Sequence, residues 1–343
     1  MRRRHLTLLA LLIPTIAHAA TTALLNRDAI AYNATTHKTY GVDQSHNAVL
    51  IFDAAGNLTK VKVGTEPEAL ATSALTGCTY IANSGANSVT VLDRNDHVTA
   101  TIPTAARPYA LALDDSAHKL YVSNTFSNKL TVIDTTTNTA THLKTGSADA
   151  LLVDPVTHNV ILLGYESETL TVLNPQTNAL TKLPAGGFHL WAMALVDRTL
   201  YVTHVQGASI QAIHLDTQAT TQIPTAAMPS ALASDPTHHR LYTANYAANS
   251  ITAIDTATNA VLATIHLTGH PQALALDAEK QLLYIAQPHE NIVTVLDLTT
   301  RKITTTLNAG QHPYALAIDI ATHKLYAANI PAAETDSAVT AIN

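Results

Sequence analysis

The sequence predicts an all-β fold, an eight-bladed β-propeller of four-stranded antiparallel blades, and two observations carry this prediction. The first is a core tyrosine that recurs every 40 to 42 residues, with isoleucine in one copy. The eight positions are Tyr40, Tyr80, Tyr121, Ile161, Tyr201, Tyr242, Tyr284 and Tyr326. The second is that one copy, residues 107–146, contains four short β-type runs separated by Asp, Asn, Ser and Thr turn clusters. Copies of this length form a repeat architecture, and we expect one closed ring.

The four runs of a copy differ in character, and the differences predict their places in a blade. The first run, residues 110–113, is apolar on both faces, which is typical of an inner strand covered by two neighbouring blades. The second and third runs, residues 119–123 and 130–133, carry the core tyrosine and further apolar side chains. The fourth run, residues 140–144, is more polar. It is therefore expected at the outer edge, where Thr, His and Lys discourage edge pairing.

The two ends of the chain predict how the ring closes. The eighth copy stops after its third run, residues 338–342, and is one strand short. Residues 21–25 precede the first inner run, residues 29–32, and have the Thr, Ala and Leu character of a fourth run. We therefore expect this N-terminal strand to complete the last blade, which removes the open seam of the ring.

Residues 1–19 have the pattern of a secretory signal peptide, and residues 20–343 are expected to form a single propeller domain. Three arginines precede an apolar run at residues 6–16 and a small-residue site that ends at Ala19, after which cleavage is expected. The apolar run is too short to span a bilayer and no second run follows, so no membrane anchor is expected. The sequence predicts a periplasmic or secreted monomer.

Charge and cysteine content exclude several function classes. Removal of the three leader arginines changes the formal charge from −6 to −9. Nucleic-acid binding needs clustered Lys and Arg, so an acidic chain of this kind is a poor candidate for it. Cys78 is the only cysteine, which excludes an intramolecular disulfide, the haem-attachment pattern and CxxC metal or redox motifs.

Several second runs share a motif in which asparagine follows tyrosine by three residues. The motif occurs as Leu120-Tyr121-Val122-Ser123-Asn124, Thr79-Tyr80-Ile81-Ala82-Asn83, Leu241-Tyr242-Thr243-Ala244-Asn245 and Leu325-Tyr326-Ala327-Ala328-Asn329. It resembles the YVTN-type β-propeller repeat family of exported bacterial proteins and archaeal surface-layer proteins. The resemblance spans residues 21–343 and implies the fold, but its strand and turn residues imply little about function. Many members of that family resemble seven-bladed rings, so seven blades are the alternative to the count of eight.

A histidine recurs in the turn that follows the first run. The histidines assigned to this position are His37, His118, His158, His238 and His323. Recurrence at one position favours a structural or solvated turn residue over a metal ligand. Replacement of His118 or His323 by alanine is therefore expected to cost under about 0.5 kcal/mol.

Loops at one face of a propeller surround the central channel, and function diverges there. The loop before the first strand of each blade, here named the leading loop, carries the least repetitive residues of this chain. The candidate ligand-binding residues are Arg107, Tyr109, His189, Trp191, His204, His270, His312 and Tyr314. The aromatic side chains could stack on a ring or sugar, and Arg107 and the histidines could meet an anion, a metal or a cofactor edge. The alternative is that these residues only form tight turns and fill the channel.

Four carboxylates lie among the same loops, and they suggest a second kind of site. They are Asp28, Glu66, Glu68 and Asp149. These side chains could hold a divalent cation, but no loop has the Asp-x-Asp-x-Asp-Gly spacing of a calcium site. No metal site is therefore assigned.

The sequence contains no nucleophile elbow, P-loop, dinucleotide fingerprint or HExxH motif, so no catalytic residue is assigned. The first hypothesis is an exported non-catalytic propeller that binds a small ligand, glycan or protein at the channel mouth. The second is an enzyme or cofactor-binding protein, similar in plan to haem d1 propellers or propeller lyases and lactonases, that uses the histidines of the mouth. The third is a structural cell-surface module. The sequence does not identify a cofactor.

Overall fold

Eight antiparallel sheets form the blades of a ring in the computed structural model, which describes residues 27–331 and 337–342. Blades 1 and 2 contain β1 (Ile30–Asn33), β2 (Lys38–Asp43), β3 (Ala48–Phe52), β4 (Leu58–Lys62), β5 (Pro67–Thr72), β6 (Thr79–Asn83), β7 (Ser88–Leu92) and β8 (Val98–Pro103). Blades 3 and 4 contain β9 (Pro108–Asp114), β10 (Lys119–Asn124), β11 (Lys129–Asp134), β12 (Thr139–Lys144), β13 (Ala150–Val153), β14 (Val160–Leu163), β15 (Thr169–Leu173) and β16 (Leu180–Pro184).

The second half of the ring repeats this plan. Blades 5 and 6 contain β17 (Leu190–Val196), β18 (Thr199–His204), β19 (Ser209–His214), β20 (Thr220–Pro224), β21 (Pro229–Asp235), β22 (Arg240–Asn245), β23 (Ser250–Asp255) and β24 (Val261–His266). Blades 7 and 8 contain β25 (Ala273–Asp277), β26 (Leu282–Gln287), β27 (Ile292–Asp297), β28 (Lys302–Asn308), β29 (Pro313–Asp319), β30 (Lys324–Asn329) and β31 (Val339–Ile342). Short 3₁₀ turns lie at Arg27–Ala29 and Gln44–His46.

The ring is closed by contacts between the first strands of neighbouring blades. Each first strand packs beside the next around the channel, and β29 of the last blade packs against β1 of the first. The eight-bladed propeller is thus confirmed, and the seven-bladed alternative is wrong. Among the described residues the eighth blade has three strands. The predicted closing strand at residues 21–25 and the leader at residues 1–19 lie outside the described residues.

The hydrophobic core lies between blades, because each sheet is covered on both faces. Tyr80 of blade 2 packs in one cluster with Leu111 and Leu120 of blade 3, and all three side chains are buried. The residues of β28, at the outer edge, are almost all exposed. Burial therefore decreases from the second strand to the fourth, as the change from apolar to polar runs predicts.

In seven of the eight blades the turn between the first two strands places the residue three positions before the core residue in the left-handed region, whereas in blade 5 the left-handed residue is Asp197, four positions before Tyr201. His118, His158 and His323 have φ angles of 53°, 59° and 58°. In blade 6 the corresponding residue is His239, with φ 52°, so the assignment of His238 to this position is wrong. Non-glycine residues rarely adopt this conformation, and it marks a fixed turn geometry.

Two of these histidines join neighbouring blades. His158 Nδ1 lies 2.7 Å from Asp114 Oδ2, and His323 Nδ1 lies 2.7 Å from Asp277 Oδ2. Arg198 makes the equivalent contact, with Nη1 2.7 Å from Asp154 Oδ1. Asp114 and Asp277 end the first strand of the preceding blade and Asp154 directly follows one, and all three are buried. The structural interpretation therefore holds for His158 and His323, because removal of either side chain leaves a buried carboxylate without this partner. For His323 this contact predicts a larger cost than a solvated turn residue would have.

Candidate functional site

The leading loops share a backbone geometry that fixes the side chains at the channel mouth. A left-handed residue precedes the inner strand in five blades. These residues and their φ angles are Glu66 (51°), Arg107 (54°), His189 (57°), Met228 (59°) and His312 (47°). In three of these loops an asparagine of the preceding blade accepts a hydrogen bond from the backbone N–H of the left-handed residue. These bonds run from Glu66 to Asn47 Oδ1 (2.9 Å), from Arg107 to Asn87 Oδ1 (2.8 Å) and from His312 to Asn291 Oδ1 (2.8 Å). The turn interpretation is thus correct for the backbone, while the side chains stay partly exposed.

An aromatic cluster occupies the loops of blades 4 and 5. Tyr165 is the second residue after β14. Its ring packs on His189 with centroids 5.0 Å apart and planes inclined by 53°. Trp191 meets the same tyrosine edge-on at 5.9 Å. Two of the predicted candidates, His189 and Trp191, therefore lie together, joined by a tyrosine that the sequence reasoning missed.

His204 ends β18 in the same blade but does not share this surface. Its side chain is buried, and Nε2 lies 2.7 Å from the backbone carbonyl of Ala185. This contact ties the second strand to the loop that leads into blade 5. The structure therefore gives His204 a structural contact where the sequence predicted a ligand contact.

A second cluster, here named the imidazole cluster, lies in the loops of blades 6 to 8. It comprises Tyr246, His270, His289, Glu290 and His312. Tyr246 packs on His270 with centroids 5.1 Å apart, and the His270 and His289 rings lie 5.5 Å apart. The Tyr246 hydroxyl and His289 Nε2 share a hydrogen bond of 2.7 Å. Partial burial lowers the pKa of His289, and positive charge on the nearby His270 and His312 lowers it further.

Arg107 lies in the leading loop of blade 3 and contacts both an acid and an aromatic ring. Its guanidinium is 3.3 Å from Glu66 Oε2 and 5.2 Å from the centroid of the exposed Phe126 ring. Arg107 is therefore already partnered at the rim. It is available to a ligand only together with these two side chains.

The interior of the mouth holds a buried carboxyl group in blade 2. Glu68 is 6% exposed, accepts a hydrogen bond of 2.9 Å from Gln44 Nε2 and one of 3.3 Å from Ser84 Oγ. Burial raises the pKa of Glu68 to about 7. Tyr314 of blade 8 is also buried, and its pKa is raised by burial and by the charge of Glu68.

The candidates therefore divide by accessibility. Tyr314 and His204 are buried, which fits a packing role, whereas Tyr109 is half-buried. Tyr165, Tyr246 and His289 were missed, although each is the first or second residue after a second strand. Tyr165 and Tyr246 both lie four residues after the core residue of their blade, and this repetition is a signal that the sequence did contain.

No group of three or more His, Cys, Asp or Glu is arranged to hold a metal ion within residues 27–331 and 337–342. In that same part of the chain, no helix is long and apolar enough to cross a membrane. A groove of about 470 Å³ lies between blades 1 and 2, and Lys62, Asn87 and Pro103 are among its lining residues. The groove has no aromatic or histidine side chain in its wall and does not coincide with the two clusters.

Comparisons with known proteins locate the fold. No protein-family model and no curated protein match the sequence. Among solved structures, dihydro-heme d1 dehydrogenase NirN in complex with DHE matches with a TM-score of 0.73 and 16% identity, over 90% of this chain and 70% of that chain. The computationally designed Ika8 protein matches with a TM-score of 0.73 and 14% identity, over 93% and 97% of the two chains. Hydrazine synthase of Kuenenia stuttgartiensis has a TM-score of 0.58 and 17% identity, over 92% and 96%. These identities support the propeller fold alone.

Proposed function

We propose that the protein is an exported, non-catalytic propeller that binds a small planar or anionic ligand at the channel mouth. One repeated contact carries the proposal: a tyrosine that follows a second strand packs on the histidine of the next leading loop. The Tyr165–His189 and Tyr246–His270 pairs have centroid distances of 5.0 and 5.1 Å and inclinations of 53° and 46°. Partly exposed rings beside titratable nitrogens suit a flat or anionic ligand better than an extended glycan or a protein surface.

The proposal includes the YVTN-type repeat family and export to the periplasm or beyond. The tyrosine–asparagine second strands support the family, and the arginine-led apolar segment at residues 1–19 supports export. The acidic mature chain supports a small-molecule partner over nucleic acid.

The similarity to NirN, which is described as a dehydrogenase of dihydro-heme d1, extends to the fold, and it makes tetrapyrroles reasonable test ligands. Non-catalytic binding is favoured because no enzyme motif occurs in the sequence. An enzyme that uses the same histidines is the alternative.

The fluorescence of Trp191, the sole tryptophan, reports this face directly. Tetrapyrroles, nucleotides, sugars and divalent metals are titrated into the purified protein while the emission is followed. We expect a planar or anionic compound to change the emission, and His189→Ala and His270→Ala each to weaken its binding about tenfold. His97→Ala, at an exposed turn between β7 and β8, is the matched control and should bind as the wild type does. A ligand whose affinity ignores both mouth variants would overturn the proposal.

A further inference from the structure

Three separate loops bring the imidazoles of the imidazole cluster together. His289 lies after the second strand of blade 7, whereas His270 and His312 lie in the leading loops of blades 7 and 8. The His289 side chain is exposed and the other two are partly exposed. The cluster is therefore accessible from solvent above the channel.

The cluster is electrostatically unbalanced when its histidines are protonated. Positive charge on His270 or His312 disfavours charge on His289, and the carboxylate of Glu290 favours it. His270 Nδ1 lies 3.7 Å from Glu290 Oε1. The hydroxyl of Tyr246, on the neighbouring blade, is the remaining titratable group, and burial raises its pKa. The Glu290 carboxylate lies near His270 and His289, while His312 adds positive charge near His289, so an added anion would offset the excess positive charge.

Hydrogen-bonding capacity is also left open beside the cluster. Gln287 ends β26, is fully buried, and its Nε2 has no hydrogen-bond partner among the described residues. The equivalent asparagine in other blades uses its amide nitrogen on a threonine, as Asn245 does with Thr252 Oγ1 at 2.9 Å. In blade 7 the contact is reversed, because Thr294 Oγ1 donates to Gln287 Oε1. A buried amide N–H₂ is therefore left as a donor for another group.

Gly269 allows this donor and the acid to lie beneath the loop that carries His270. A Cβ at this position would lie 2.6 Å from Gln287 Nε2 and closer still to the Glu290 carboxyl group. A side chain at residue 269 would therefore displace both groups. His270 Nδ1, which also lacks a hydrogen-bond partner in the described part of the chain, lies in the same loop.

We propose that the imidazole cluster is a proton-linked binding site for a small oxyanion, such as a carboxylate or phosphate group. Protonated His270, His289 and His312 supply N–H donors. Protonation of His289 makes its Nε2 a donor to the Tyr246 oxygen, which frees the tyrosine O–H to bond the anion. Glu290 repels an anion and so restricts binding to the protonated state. This inference rests on the proposed function, because it specifies the ligand chemistry of one part of the same mouth.

Sulfate is the probe, because its charge is constant over the range in which histidine titrates. Calorimetric titration and NMR of the imidazole resonances are run at about pH 5.5 and about pH 7.5. We expect sulfate to bind at the lower pH, to bind at least about tenfold more weakly at the higher pH, and to shift the resonances of His289 and His270. His289→Gln and His270→Gln should each lose most of the affinity, and His97→Gln should lose none.

Glu290→Gln is the variant for which stronger sulfate binding is expected, and a damaged fold would not bind sulfate more strongly. Removal of the opposing carboxylate should strengthen sulfate binding and extend it toward higher pH. Equal affinity at both pH values, unchanged binding in His289→Gln, or weaker binding in a folded Glu290→Gln would overturn the inference. If sulfate does not bind as expected but another ligand changes the Trp191 emission, the proposed function stands and only this inference fails. Sulfate binding without any ligand that changes the Trp191 emission would support this site and would contradict the planar-ligand part of the proposed function.

Discussion

Replacement of Glu68 by glutamine should change the pH dependence of folding stability. The Glu68 carboxyl is 6% exposed and its pKa in the folded protein is raised to about 7, mainly by burial. Its ordinary value is 4.5. Between these values the unfolded chain has lost the proton that the folded chain retains, so the folded state loses stability as pH rises. Above about pH 7 both states are ionised and the loss is complete.

The magnitude follows from the difference between the two pKa values. Each pKa unit corresponds to about 1.36 kcal/mol, so the wild type should lose about 3 kcal/mol of unfolding free energy between about pH 4.5 and pH 7 from this group. Glu68→Gln has no such titration. The difference in stability between the variant and the wild type should therefore be about 3 kcal/mol more favourable to the variant at about pH 8 than at about pH 4.

Denaturant titration of both proteins at these two pH values measures this difference. The stability difference between variant and wild type is measured at each pH. A change in this difference between the two pH values is free of any constant effect of the substitution on packing or hydrogen bonding. Glu168→Gln, at an exposed position, is the control and should give the same difference at both pH values. A Glu68→Gln effect that does not change with pH would refute the assignment of a buried carboxyl with a raised pKa.

Three further predictions concern the blades. Tyr201→Ala should lower the unfolding free energy by about 3 to 5 kcal/mol, because the side chain is fully buried, and denaturant titration would contradict this with a loss under about 1 kcal/mol. His323→Ala should lower the unfolding free energy by about 1 to 3 kcal/mol, because it removes a partner of the buried Asp277. The control His97→Ala, at an exposed position, should lower it by under about 0.5 kcal/mol. Equally small losses in the two variants would contradict the interblade contact. Burial raises the pKa of Asp114, Asp154 and Asp235, but hydrogen bonds to these carboxylates outweigh it and lower the pKa of each. The ionised carboxylates therefore stabilise the fold above about pH 4, and this stabilisation should be lost as pH falls through the lowered pKa values. Thermal melting from about pH 5 to about pH 2 checks this, and a constant midpoint would contradict it.

The blade count could be predicted because tyrosine spacing is a one-dimensional property of the chain. The contacts between blades could not, since His158 and Asp114 are 44 residues apart and nothing local pairs them. In blade 6 two adjacent histidines offer themselves for the turn position; the spacing of three residues to Tyr242 selects His239, and its φ angle of 52° agrees.

The candidate site was predicted in part for the same reason. Repeat alignment places His189, Trp191, His270 and His312 on one face, but it does not give the accessibility of a side chain. The burial of His204 depends on a contact with Ala185, which is 19 residues away. His289 follows the buried residues Gln287 and Pro288. Its closeness to His270 depends on the packing of this loop against Gly269, which lies in the leading loop of the same blade.

Amide hydrogen exchange, measured with and without the ligand found through Trp191, shows directly whether the protein binds at the channel mouth. Binding at the mouth should slow exchange in residues 186–191, 246–249, 269–272 and 288–291, which contain most members of the two clusters. Exchange in residues 115–118 and 155–158, which form turns at the other ends of the first strands, should not change. Protection confined to those turns, with exchange in the cluster loops unchanged, would show that the ligand binds at the opposite ends of the blades.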